Sequence, residues 1–96
     1  MLVNIVEFPR IKEGQDAAFR QWFVDSNRAY AEHPGFIRRI LLRPREGGHY
    51  VAIVEHESHQ TFMAMHTSPT QAALRERVAS LLDGDPRPVF YDVVSD

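Results

Sequence analysis

Four short apolar runs rich in β-branched residues, separated by stretches of helical periodicity, constrain this chain more than any other feature. The runs are residues 2–8, 36–43, 50–54 and 89–94. A strand with one solvated face alternates apolar and polar side chains, but here every run carries apolar residues of both parities. In the first, Leu2, Val6 and Phe8 fall on one face and Val3 and Ile5 on the other. A sheet built from such strands must be covered on both sides.

The segments between the runs supply one cover. Phe19, Trp22, Phe23, Ser26 and Tyr30 recur at helical spacing after Gly14, giving one wide aromatic stripe. Asp16 in the first turn complements the helix dipole, and Pro34-Gly35 stops the helix. Pro44, Gly47 and Gly48 make a loop, so the second and third strands form a hairpin. Ser58 suits the cap of a short helix whose apolar members are Phe62 and Met65 or His66. Ser68-Pro69-Thr70-Gln71 reads as a capping box with proline in the first turn. The helix it opens carries Leu74, Val78, Leu81 and Leu82, and Gly84 suits the left-handed position after its end.

The order is β-α-β-β-(α)α-β, which predicts an α+β, ferredoxin-like fold: a four-stranded antiparallel sheet with the helices on one face. The other face is then bare and apolar, and an apolar face of that size marks an interface. The inference is a homodimer with two sheets face to face. At 96 residues the chain is expected to form one domain spanning residues 1–96. A net charge of −2 gives no electrostatic case for nucleic acid or an anionic membrane. No cysteine is present, which removes disulfide and thiolate chemistry and is compatible with the cytoplasm. No run is long enough to span a membrane, and the first residues read as a strand rather than a signal peptide.

Several local motifs, in order, resemble the antibiotic biosynthesis monooxygenase family of dimeric α+β barrels. They are Asn4-Ile5-Val6-Glu7-Phe8, Glu13-Gly14 with Phe19, His33-Pro34-Gly35-Phe36 with Leu41-Leu42-Arg43-Pro44, and Glu57-Ser58 with Phe62 and Ser68-Pro69. The resemblance implies a small-molecule monooxygenase. In one branch the enzyme uses neither metal nor flavin, and an aromatic, easily ionised substrate reduces O2 itself. In the other, heme is both cofactor and substrate. The heme-degrading members resemble one another in an Asn on the first strand, a Trp on the short helix and an iron-ligating His nine residues later. Asn4 matches the first; Met65 and Leu74 stand at the other two positions.

Three polar residues are candidates for the chemistry. His66, at a helix end, has an intrinsic pKa near neutrality and suits acid–base work, against the plainer account of an exposed or capping histidine. Asn4 is polar within an apolar strand and can hold a substrate oxygen, or it can be a buried Asn satisfied by backbone. His56, between Glu55 and Glu57, is a lesser candidate, with a solvated rim as the plainer account. Trp22, Phe23, Tyr30, Phe62 and Met65 are expected to hold a flat ring, or simply to pack the core. No spacing matches a recognised metal box, so no metal site is expected. Arg38 and Arg39 point to opposite faces of their strand, and one is expected to pair across the dimer with Glu7 or Glu55 in preference to binding an anion.

The expectation is therefore a homodimer that oxidises a small aromatic or phenolic molecule with O2 and no cofactor, using Asn4, His66 and His56. The alternatives are a heme-binding or heme-degrading protein with a different ligand among His56, His59 and His66, and a non-catalytic small-ligand-binding module.

Overall fold

The computed structural model describes residues 1–96. Strands β1 (Leu2–Glu7), β2 (Phe36–Leu42), β3 (Val51–His56) and β4 (Arg87–Asp92) form one antiparallel sheet in the order β2-β3-β1-β4. Helices α1 (Asp16–Tyr30), α2 (His59–His66) and α3 (Pro69–Ala79) complete the ferredoxin-like arrangement expected from the pattern. No helix is long and apolar enough to cross a membrane.

Burial alternates cleanly where the helices lie. On β3, Ala52, Val54 and His56 are buried while Val51, Ile53 and Glu55 are only half-buried. Leu2 and Asn4 of β1 are buried on the same side, because the register sets Leu2 opposite His56 and Asn4 opposite Val54. The stripe of α1 lands as predicted: Phe19, Trp22, Phe23, Ser26 and Tyr30 are its buried residues. Phe19 packs edge-on to Phe8 at 5.0 Å between ring centroids, and Val78 and Leu82 close the same cluster. A second cluster joins Leu2, Val54 and Tyr30 to Phe62 and Met65 of α2.

Two capping details differ from expectation. The reciprocal capping box belongs to α2, where the Ser58 side chain accepts from Thr61 N at 3.1 Å and Thr61 Oγ1 accepts from Ser58 N at 3.2 Å. At α3, Ser68 accepts from Gln71 N at 3.2 Å and Pro69 occupies the first turn. The Gln71 side chain does not return to the cap; its Oε1 accepts from the Tyr30 hydroxyl instead. Gly35, with φ of 86°, lets the chain turn into β2 where a Cβ would sit 2.4 Å from the Thr61 side chain.

Strand boundaries shift by one or two residues because pairing, not local composition, sets strand ends. β3 runs on to His56, which sits opposite both Leu2 and Phe36. β2 stops at Leu42 rather than Arg43. β4 starts two residues early and ends at Asp92, with Pro88 tolerated because β4 is an edge strand. Leu81 and Leu82 lie past the end of α3, where Leu82 bridges to Ile11.

Away from the helices the sheet presents Ile40, Ile53, Ile5 and Val89 as one row across all four strands. Val3, Tyr91, Val51 and Leu42 extend it, and Tyr91, Val89 and Leu42 are among the exposed large apolar residues. Ion pairs mark opposite corners: Arg38 with Glu55 at 2.9 Å and Arg87 with Glu7 at 2.8 Å. Both form within one chain.

Candidate functional site

A cavity of about 540 Å³ lies between the helices and the covered face of the sheet. That volume is within the usual range for small-molecule sites. The sheet register builds its floor, since Phe90, Asn4, Val54 and Arg39 stand side by side on β4, β1, β3 and β2. Trp22 and Tyr30 of α1 and Phe62, Met65 and His66 of α2 rise around it.

Asn4 is only 4% exposed, and its Oδ1 has no hydrogen-bond partner. It is the one buried side-chain polar atom of the chain left in that state. A buried amide oxygen without a donor costs free energy on the order of 1–3 kcal/mol. A ligand hydroxyl entering the cavity could supply that donor.

Arg39 lies under the aromatic stripe. Its guanidinium carbon is 4.0 Å from the Phe23 ring centroid and 5.2 Å from those of Trp22 and Tyr30. Nη1 donates to Ser26 Oγ at 2.6 Å and to Asn27 Oδ1 at 2.9 Å. The Asn27 amide returns a bond to the Arg39 carbonyl at 3.0 Å, fastening α1 to β2. Burial pulls the guanidinium pKa down to about 10, opposed by Tyr30. The four ion pairs of the chain use Arg10, Arg38, Arg77 and Arg87, so Arg39 has no carboxylate partner. Parity alone placed Arg39 on the opposite face from Arg38; that this face is the covered one, with no acid in reach, needed the fold.

His66 lines the cavity with its ring stacked on Phe62 at 5.5 Å and 17°. Its Nε2 faces Arg75 Nη2 at 3.3 Å. Burial first, and then the Arg75 charge, push its pKa below the ordinary value, so the ring is neutral at pH 7. Arg75, Gln71 and Phe90 complete this side of the cavity, and sequence reasoning had not singled them out. Two of them lie on α3, whose apolar residues had drawn the attention.

His56 is corrected from a solvated rim to a fully buried side chain. Its Nδ1 meets Thr61 Oγ1 at 3.0 Å and its Nε2 meets Met65 Sδ at 3.5 Å, with Phe36 and Phe62 edge-on to the ring. Burial, then His33, lower its pKa, with Glu57 opposing. Both nitrogens face α2 and the ring does not line the cavity, so His56 anchors that helix to β3. Phe23 is likewise outside the lining; it packs in the core and carries Arg39 on its face. Trp22, Tyr30, Phe62 and Met65 do line the cavity. Trp22 spends its indole N–H on the Leu74 carbonyl at 3.0 Å, and so offers a ligand only apolar surface.

No group of three or more His, Cys, Asp or Glu side chains is placed to hold a metal ion. The residues also fit a heme iron poorly. Leu74 has no donor to offer, His56 is spent, and His59 sits edge-on to Phe90 outside the cavity lining. Only His66 remains, with a cation against its Nε2.

A family model for antibiotic biosynthesis monooxygenases matches residues 1–77. No curated protein sequence matches the chain. Among solved structures, a candidate antibiotic biosynthesis monooxygenase from Nitrosomonas europaea superposes with a TM-score of 0.85 at 19% identity, covering 99% of this chain and 100% of that one. SnoaB from Streptomyces nogalater, described as a cofactor-independent oxygenase, superposes with a TM-score of 0.83 at 23% identity, covering 99% and 95%. Rv0793 from Mycobacterium tuberculosis gives 0.83 at 19% identity, covering 99% and 96%.

Proposed function

The chain belongs to the antibiotic biosynthesis monooxygenase family, and on that premise we propose that it oxidises a small aromatic or phenolic molecule with O2, without a cofactor. The observation that carries this reading is the unpartnered Asn4 Oδ1 at the floor of an otherwise largely apolar cavity. Such a site holds a flat ring by its faces and one oxygen by a directed hydrogen bond. The likeness to SnoaB, a cofactor-independent oxygenase, supports the absence of a cofactor. Residues 1–96 act as one domain, in the cytoplasm, and two copies pair through the bare sheet face.

The geometry supports the following roles. Asn4 Oδ1 accepts the substrate hydroxyl, and the amide N–H is free to donate to an oxygen that gains charge as O2 is reduced. His66 is in the proton-accepting form at pH 7, and the substrate hydroxyl competes for its Nε2 with Arg75 Nη2, which lies 3.3 Å away. Because Arg75 opposes protonation of His66, the substrate must be acidic already, as a phenol or enol is. Trp22, Tyr30, Phe62 and Met65 hold the ring and exclude water. In a phenol the ring C–H opposite the hydroxyl becomes C=O as the C–OH also becomes C=O; O2 gives one oxygen to that carbon and the other leaves as water with the two hydrogens, so the substrate supplies all four electrons.

The test is oxygen uptake by the purified protein against a panel of phenols and anthrones, with the product mass read in parallel. Asn4→Ala and His66→Ala are each expected to lower kcat by roughly 10²-fold. Unchanged turnover in the double variant would show the roles to be wrong. Saturable binding with no oxygen uptake across the panel would favour a non-catalytic binding module.

A further inference from the structure

Arg39 is half-buried against the aromatic stripe and takes part in none of the ion pairs of the chain. Its Nη1 is taken by Ser26 and Asn27, while no hydrogen bond of the chain uses its Nε or Nη2. Neither atom is among the buried side-chain polar atoms without a partner, a state that Asn4 Oδ1 alone occupies, and Arg39 contributes to the cavity wall. Aromatic faces on three sides offset part of the cost of holding a cation there, but they leave its outward fork empty. That fork matches the two oxygens of a carboxylate.

We propose that the molecule bound here is an aromatic anion, with an anionic oxygen group, a carboxylate above all, seated on the free Nε–Nη2 edge of Arg39 while a hydroxyl at its other end reaches Asn4. This rests on the oxidation proposed for the same cavity and names the class of substrate it takes. The two anchors stem from one cross-strand row, Asn4 on β1 and Arg39 on β2, with only Val54 of β3 between them. Two strand spacings separate their backbones, roughly 10 Å, a length that suits two fused rings bearing groups at opposite ends. Charge in the cavity favours the same class. Its lining holds two guanidinium groups, Arg39 and Arg75, against the single carboxylate of Asp85, which is exposed. Arg75 is engaged only with His66. The sheet row thus orients the ring: acid toward α1, reacting hydroxyl toward β1 and β4.

The experiment is a binding titration under argon, so that no turnover intervenes. The probes are a hydroxynaphthoate with its two groups at opposite ends of the ring system, and the neutral hydroxynaphthamide of the same shape. The acid is expected to bind roughly tenfold or more tighter than the amide, the size of a charge-assisted pair. Arg39→Met should bring the acid down to the affinity of the amide and leave the amide nearly unchanged. Arg39→Lys, which keeps the charge but loses the fork, should retain part of the preference and covers the case in which Arg39→Met does not fold. Equal binding of acid and amide by the unaltered protein, or no saturation by the acid at millimolar concentration, overturns the proposal. So does a preference that survives in Arg39→Met. Failure of oxygen uptake would leave these results standing, and uptake with neutral phenols alone would sink the anion without touching the oxidation.

Discussion

Two neighbouring rows of the sheet, one residue apart along the strands, invert the usual rule. On the covered face the row is Phe90, Asn4, Val54 and Arg39; on the bare face it is Val89, Ile5, Ile53 and Ile40. The protein thus keeps an amide and a guanidinium beneath its helices and turns four β-branched side chains outward in a block. Hydrophobic burial alone would reverse the two. The polar row is maintained at a cost in stability, in line with the proposed ligand. The apolar row is a surface with a cover still to come, in line with the proposed pairing of two copies.

Breaking the apolar row should have the largest effect. Ile5→Asp with Ile53→Asp places two carboxylates in the centre of the proposed interface, and mass by light scattering is expected to fall from two chains to one. An unchanged mass would rule out face-to-face pairing. Next comes the closed end of the covered face. Phe19 is fully buried among Phe8, Trp22 and Tyr50, so Phe19→Ala should cost about 3–5 kcal/mol in urea unfolding. Ile40→Ala on the bare face of the monomeric variant should cost about 1 kcal/mol or less.

A smaller effect of opposite sign is expected in the polar row. Asn4→Leu removes an orphaned acceptor, so stability should stay level or rise by about 1 kcal/mol, while oxidation is lost. A clear loss of stability would mean that Asn4 is structural. The smallest effect is a pH slope. His66 and His56 both titrate below their ordinary value of 6.5, chiefly through burial. The unfolded chain therefore binds more protons than the folded one between the lowered pKa values and 6.5, so stability present above pH 6.5 is lost as the pH falls through that window. Urea midpoints measured from pH 7.5 downward should decline, and His56→Gln should flatten the decline.

The sheet and its bare face were legible because parity is local: Leu2, Val3, Ile5 and Val6 declare two apolar faces without help from the rest of the chain. The α1 stripe was legible for the same reason, Ser26 included. His56 was not. Flanked by two glutamates it reads as the edge of a loop, and only pairing with Leu2 and Phe36 draws it into the sheet. Arg39 was visible as a charge on one face, but its isolation from carboxylates depends on where Glu55 and Glu7 find partners. Gln71 looked like half of a capping box, and its bond to Tyr30 spans 41 positions of sequence. What sequence periodicity could not reach were choices among competing partners far apart along the chain.

The strand order sets a timetable. β1 lies in the interior of the sheet and pairs with β4, so that Leu2 meets Asp92 and Asn4 meets Phe90. Contacts of such sequence separation carry a high loop-closure cost and form late. A nascent chain can fold its β2–β3 hairpin and dock β1 on β3, and still lack one side of the cavity floor. Asn4 is exposed to solvent at that stage and is sealed only when the last strand is laid down. Ligand-binding competence, followed during synthesis or refolding, should therefore appear with the final kinetic phase rather than with the first compact species.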